Sequence, residues 1–271
     1  MPTDGVLQGQ VAFITGAGSG LGAAFARRLA ADGATVVVND LSADAAAAVA
    51  IEVCGDTAVF DVCDAAAFDA EVDKAVERHG RLDIVINNAG IAPAPDVERT
   101  ERAIQNQMLR MEGRIDDLVP PDSTVDLSDA DWDRMIRVHL YGTFYGTRAA
   151  LRHMTPARSG AIVNISSVLG LRPMAGAVHY ATAKAGIIAL TKSVGQEVAA
   201  FGVRVNAVCP GWVDTPLLAP MDPVMMAGIV MQIPRGRMAT APELAELVRF
   251  LAGPESSYCN GDVFAASGGF V

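Results

Sequence analysis

The chain predicts an α/β fold in which a parallel sheet is covered by helices on both faces. Three observations carry this. Short runs that are apolar along their whole length alternate with helical segments, as strands buried on both faces require. The first run passes directly into a glycine-rich turn at 15–22 that opens a helix. With 271 residues, 51% of them hydrophobic, the chain can bury a sizeable core.

The elements follow in order. Residues 10–15 (Q-V-A-F-I-T) read as a buried strand, and after the glycines 23–32 read as a helix ended by Gly33. Residues 34–39 form a second buried strand closed by Asp40, and Ser42 caps the Ala-rich helix after it. A short strand at 57–60 leads into Asp61 and Val62. An amphipathic helix spans 64–79 up to Gly80, and 82–87 (L-D-I-V-I-N) is a fourth strand. The pattern then breaks at Pro93 and Pro95. From 96 to 118, Ile104, Met108, Met111, Ile115 and Leu118 fall at spacings of four and three, one helical stripe ended by Pro120 and Pro121. Ser128 caps a long helix expected over 129–154. A strand at 160–166, a helix at 178–201 and a strand at 203–208 come next. Residues 212–238 look irregular and rich in Met and Pro, before a helix at 242–252 and a short strand at 262–265. One domain covering 1–271 is expected, with insertions at about 91–127 and 212–238.

Composition narrows the function. The net charge of −10 argues against nucleic acid as a partner. No apolar run reaches the roughly 18 residues a membrane span needs, and residues 1–10 show no signal-peptide pattern. Cys54, Cys63, Cys209 and Cys259 have no metal or redox spacing, so no metal is expected, and they read as reduced core thiols of a cytoplasmic protein.

The turn T-G-A-G-S-G-L-G is where phosphate chemistry points. Glycines between strand and helix let backbone N–H groups approach a phosphate, and the helix N-terminus favours its charge. Asp40 lies about 20 residues on, at the end of the second strand. A carboxylate there can accept both ribose hydroxyls of an adenosine and repels a 2′-phosphate. The turn holds no Arg or Lys, and Leu41 stands where a base could hold that phosphate, so NAD is expected over NADP. Asp40 could equally cap the next helix.

Tyr180 and Lys184 lie one helical turn apart on one face. An ammonium beside a phenol favours the phenolate, which would suit Tyr180 to proton exchange at neutral pH. Alone, the pair also suits an ordinary helix with a half-buried Tyr and a surface Lys.

T-G-A-G-S-G-L-G at 15–22, N-N-A-G at 87–90, N-I-S-S at 164–167, Y-A-T-A-K at 180–184 and P-G-W-V-D-T at 210–215, in this order, resemble the short-chain dehydrogenase/reductase family over nearly the whole chain. The resemblance implies a Rossmann-type doubly wound sheet of seven parallel strands and a homotetramer. For the cofactor it implies Gly16, Ser19, Gly20 and Leu21 at the pyrophosphate, Asp40 with Leu41 at the adenine ribose, and Asp61 with Val62 near the adenine. Asn88 and Ala89 would lie along the nicotinamide, and Pro210, Gly211, Val213 and Thr215 would hold its carboxamide. Ser167 would bond the substrate oxygen and Tyr180 exchange its proton. Lys184 would hold the ribose hydroxyls and lower the Tyr180 pKa. Ser166 is read as structural.

Two residues depart from the family's pattern. His139 stands where Asn is usual. Its backbone carbonyl can serve as the Asn carbonyl does, while its side chain is unassigned between a role at the site and simple helix packing. Ser267 replaces a frequent Asp near the cofactor floor or a subunit contact. The stripe in 96–118 walls the substrate cleft or meets another subunit. Trp212, Leu217, Leu218, Met221, Met225, Met226, Ile229 and Met231 form an adaptable apolar lid or a subunit contact. Arg235 and Arg237 are discounted as belonging to a helix entry. The expected activity is NAD-dependent interconversion of a secondary alcohol and a ketone on a mostly apolar substrate. The alternatives are an NADP-dependent 3-oxoacyl reductase-like enzyme and a non-catalytic NAD-binding regulator.

Overall fold

A computed structural model describes residues 5–93, 96–120, 122–219 and 221–271. The N-terminal residues 1–4 and the expected breaks at Pro95 and Pro121 lie outside them.

The first half alternates as its apolar runs require. Strand β1 (Val11–Ile14) leads to helix α1 (Gly20–Ala31), β2 (Thr35–Asp40) to α2 (Ala43–Glu52), and β3 (Asp56–Val59) to α3 (Ala65–His79), before β4 (Ile84–Asn87). Helix α1 begins at Gly20, three residues earlier than expected, and so takes in the last glycines of the turn. Ser42 accepts from Ala45 N at 3.2 Å as the cap of α2, and Asp64 caps α3.

The second half departs from expectation in four places. Helix α4 covers Val97–Met111 and stops at Glu112 and Gly113, ahead of the prolines; a single 3-10 turn holds Ile115–Asp117. Its stripe faces outward, with Met108 60% and Met111 80% exposed. Asn106 and Leu109 are the buried residues instead, and Asn106 exchanges two hydrogen bonds with the Val119 backbone at 2.7 and 2.9 Å, folding the loop back on the helix. The expected long helix is broken. Helix α5 (Asp129–Ile136) runs into a π-helical turn, Arg137–Tyr141, before α6 (Gly142–Ala157). There Gly142 N–H reaches back to Arg137 O, inserting one extra residue into the turn at His139. Strand β5 (Gly160–Ile165) is followed by a short helix not foreseen, α7 (Val168–Leu171), then α8 (Val178–Val198) and β6 (Val203–Pro210). Within 212–238 a helix, α9 (Pro223–Met231), replaces the expected irregular chain. Helix α10 (Ala241–Ala252) and β7 (Val263–Ala266) complete the order. Arg237 forks onto Glu243 at the start of α10, consistent with a helix-entry role.

All seven strands are parallel, in the order β3-β2-β1-β4-β5-β6-β7. Side chains alternate between the faces. From β1, Ala12 and Ile14 join a core with Phe25 and Leu29 of α1 and Leu244, Val248 and Leu251 of α10. Val11 and Phe13 enter the opposite core with Phe68 of α3 and Met154 of α6. Of the four cysteines only Cys209 is buried; Cys54 is exposed, Cys63 and Cys259 are half-buried, and all are free. Cys54 lies in the tight link out of α2, with φ +52°, which turns it away from the core.

The chain order reverses between β1 and β4. A crevice opens there beyond the carboxyl ends of the strands, the usual ligand position in such sheets. Among the described residues no helix is long and apolar enough to cross a membrane.

Candidate active site

The glycine turn is built on Thr15. Its hydroxyl accepts from Asn88 N and Ala89 N, both at 3.0 Å, tying the end of β4 to the end of β1. The Asn88 amide donates to Thr15 O and Gly16 O at 2.9 and 3.1 Å. Its side chain is therefore a strut beneath the turn. Gly16 has φ +61°, and a Cβ there would lie 2.8 Å from Ala89 Cα, so this approach needs glycine. Thr215 and Pro216 stand over Gly20, at 3.8 and 3.9 Å from where its Cβ would be. The P-G-W-V-D-T segment thus walls the turn. A Val213–Ala239 bridge holds it, together with the Gly211 N–H donated to Ala266 O at 2.9 Å. Ser267 is buried under Gly211.

Asp40 makes two hydrogen bonds within the chain. Oδ2 accepts from Gly18 N and Oδ1 from Ser42 N, each at 3.0 Å, so it braces the turn and caps the chain into α2. A carboxylate has about four acceptor positions, so these two bonds leave capacity for hydroxyls. Asp40 and Leu41 line a cleft of about 530 Å³ with Phe60, Asp61, Val62 and Gly90. Leu41 is 71% exposed. The far wall comes from Asp133, Arg134, Arg137 and Val138. Sequence reasoning missed this wall, because nothing in a helix more than 70 residues beyond β3 signals that it packs there. Cys63 also lines the cleft; burial and then Asp61 push its thiol up to about 11, so it stays protonated. A glycine cradle without side chains, a carboxylate at the end of β2 and a cleft of this size fit the adenosine and diphosphate of a dinucleotide.

Ser167, Tyr180 and Lys184 converge beside this cleft. Ser167 caps α7, accepting from Leu169 N at 3.1 Å, and its hydroxyl is the neighbour that lowers the Tyr180 pKa. Ser166 turns away and donates to Lys184 O at 2.7 Å, a structural bond. Lys184 is 3% exposed, donates to Ile165 O at 2.9 Å, and its Nζ lies 5.6 Å from the centre of the Tyr180 ring.

The electrostatics differ from the sequence expectation. Burial raises the Tyr180 phenol above its ordinary value, with only the Ser167 hydrogen bond pulling it down. Burial lowers the Lys184 ammonium to about 7. Desolvation disfavours both charged forms.

Below the trio, Asn87 donates to Thr147 Oγ1 and to Asn164 Oδ1, and Asn164 to Thr191 Oγ1, at 2.8–3.2 Å. This buried chain joins β4, β5, α6 and α8. Its asparagines stand inside two quoted motifs, but only their contact reveals the role. His139 is buried on the π turn, with its ring 5.3 Å from that of Tyr180. Asp214, Thr215, Pro216, Leu218, Met221 and Met226 line a largely apolar pocket of about 500 Å³.

Comparison with known proteins agrees with this architecture. The short chain dehydrogenase model matches residues 10–113, and the enoyl-(acyl carrier protein) reductase model matches 118–271. The chain is 36% identical to the 3-oxoacyl-(acyl-carrier-protein) reductase FabG of Thermotoga maritima, over 98% of this chain and 99% of that one. It is 38% identical to the cis-4-hydroxycyclohexanecarboxylate dehydrogenase of Sinomonas cyclohexanicum, over 97% and 96%. Among solved structures it resembles a gluconate 5-dehydrogenase from Burkholderia cenocepacia in complex with NADP and tartrate. There the TM-score is 0.84 at 30% identity, covering 100% of this chain and 98% of that one. Family models across both halves and full-length relatives above 30% identity lead to one conclusion: the chain belongs to the short-chain dehydrogenase/reductase family of oxidoreductases.

Proposed function

We propose that the protein is an NAD-dependent oxidoreductase interconverting a secondary alcohol and a ketone on a mostly apolar substrate. A hydroxysteroid, a terpenoid alcohol or a 3-hydroxyacyl thioester would suit the pocket beside the lid. The reading rests on the grouping of Ser167, Tyr180 and Lys184. The nicotinamide would supply or accept the hydride. Ser167 bonds the substrate oxygen and stabilises the charge developing there. Tyr180 exchanges the proton with that oxygen. Lys184 holds the ribose hydroxyls and favours the phenolate once charged. Gly16, Ser19, Gly20 and Leu21 hold the diphosphate, and Asp40 with Leu41 the adenine ribose. Asp61 and Val62 face the adenine. Ala89, with Asn88 bracing it, lines the nicotinamide, whose carboxamide meets Pro210, Gly211, Val213 and Thr215. The outward apolar stripe of α4 supports a contact between subunits, in keeping with a cytoplasmic homotetramer.

The test is a screen of secondary alcohols with NAD⁺, read as NADH absorbance. Tyr180→Phe abolishes turnover and leaves NADH binding in place; retained turnover would reject the mechanism, and no turnover by the wild type would favour a cofactor-binding regulator. An NADP-dependent 3-oxoacyl reductase is a second reading, favoured by the relatives named as such and by the NADP-bound neighbour. Titration with NADH and NADPH side by side separates the two.

A further inference from the structure

His139 is the buried polar group beside the trio whose side chain has no role in the proposed reaction. Its ring is fixed from two sides. On one, Nε2 lies 2.9 Å from Ile91 O and 3.1 Å from Ile91 N. A neutral imidazole nitrogen either donates or accepts, so either tautomer pins Ile91 and leaves Nδ1 unpartnered, as it is among the described residues. Gly90 makes the approach possible: a Cβ there would lie 2.6 Å from His139 Cε1. On the other side the ring meets the Tyr180 ring edge to face at 83°. The ring is presented from the π turn at 137–141.

We infer that His139 is a positioning residue, its imidazole clamping the Gly90–Ile91 segment to the ring of Tyr180 and so setting the direction of the phenol. The inference rests on the proposed role of Tyr180 as proton exchanger. The ring is no proton donor itself. Burial first, and then the charge of Lys184, hold its pKa well below the ordinary range, with His179 adding to the effect. It stays neutral and acts by shape and by one hydrogen bond.

The test uses His139→Phe, which keeps a ring and loses the bond to Ile91, and His139→Gln, which keeps a polar end and loses the ring. Tyrosine labelled with 13C at Cζ gives four signals, one per tyrosine, and loss of one in Tyr180→Phe assigns Tyr180. In both His139 variants the Tyr180 signal should shift and its titration should fall towards that of free tyrosine, since water enters where the clamp loosens. With the secondary alcohol best turned over by the wild type, kcat should drop about tenfold or more, as misplaced groups lose catalysis. The Kd for NADH, read by fluorescence, should change by less than about threefold. An unmoved Tyr180 signal, or kcat per folded molecule equal to wild type, overturns the inference and leaves His139 as packing. Equal losses in kcat and NADH affinity overturn it too. Failure of the oxidoreductase reading appears separately, as turnover by Tyr180→Phe or none by the wild type, and the Tyr180 signal still decides the role of His139.

Discussion

Replacing Lys184 by Met should stabilise the fold while ending turnover. The side chain is 3% exposed, and its ammonium has one hydrogen bond, to Ile165 O at 2.9 Å. Burial lowers its pKa from 10.5 to about 7, which corresponds to about 5 kcal/mol against the charged form. The unfolded chain therefore binds more protons between pH 7 and 10.5, and wild-type stability rises with pH across that window. At pH 7 the buried site costs the wild type about 4 kcal/mol. Met keeps the apolar stem and removes this cost, but it leaves Ile165 O without its donor, at about 1–2 kcal/mol. The net gain is about 2–3 kcal/mol, or about 4–5 °C in Tm for a chain of this size. Thermal unfolding of the cofactor-free wild type and Lys184→Met, followed by circular dichroism from pH 7 to 10, measures it. The difference should shrink as the pH rises and vanish or reverse near the upper end. A variant less stable than wild type at pH 7, or a difference that stays constant with pH, would refute the reasoning.

Two further outcomes follow from the site and its support. Asp40→Ala removes the acceptor proposed for the ribose and frees Gly18 N and Ser42 N; NADH affinity should fall about tenfold, the loss of a charged hydrogen bond, while NADPH affinity rises, both read by fluorescence titration. Asp32, 2% exposed, joins α1 to α10 through Arg28 at 2.5 Å and through Arg249. Burial alone would raise its pKa, but these two arginines hold it below the ordinary 3.8. Asp32→Asn should cost about 3 kcal/mol at pH 7. Because the folded pKa is depressed, that contribution is complete above 3.8 and fades as the pH falls through the folded value. Urea unfolding at pH 7 and in acid should show the gap between wild type and Asp32→Asn closing.

What was legible in the sequence is what local chemistry dictates. Apolar runs such as Val36–Val38 can only be strands buried on both faces, and a glycine turn after the first of them places a phosphate cradle at a helix start. Ser42 and Ser128 announced their caps because a cap needs only a backbone three residues away. The trio was legible because its residues sit at strand and helix ends that a parallel sheet must gather on one edge.

Contacts between distant segments were settled only by the tertiary structure. Period alone placed Met108 and Met111 on a stripe, but not which side of α4 the rest of the chain would cover. Arg134 and Arg137 reach the cleft of Asp40 through the packing of a remote helix. The π turn that carries His139 arises where α5 and α6 meet, and no residue spacing marks it. The charges of Tyr180 and Lys184 were decided there as well: spacing sets that they are neighbours, whereas burial, a property of the whole fold, sets which way each proton is held.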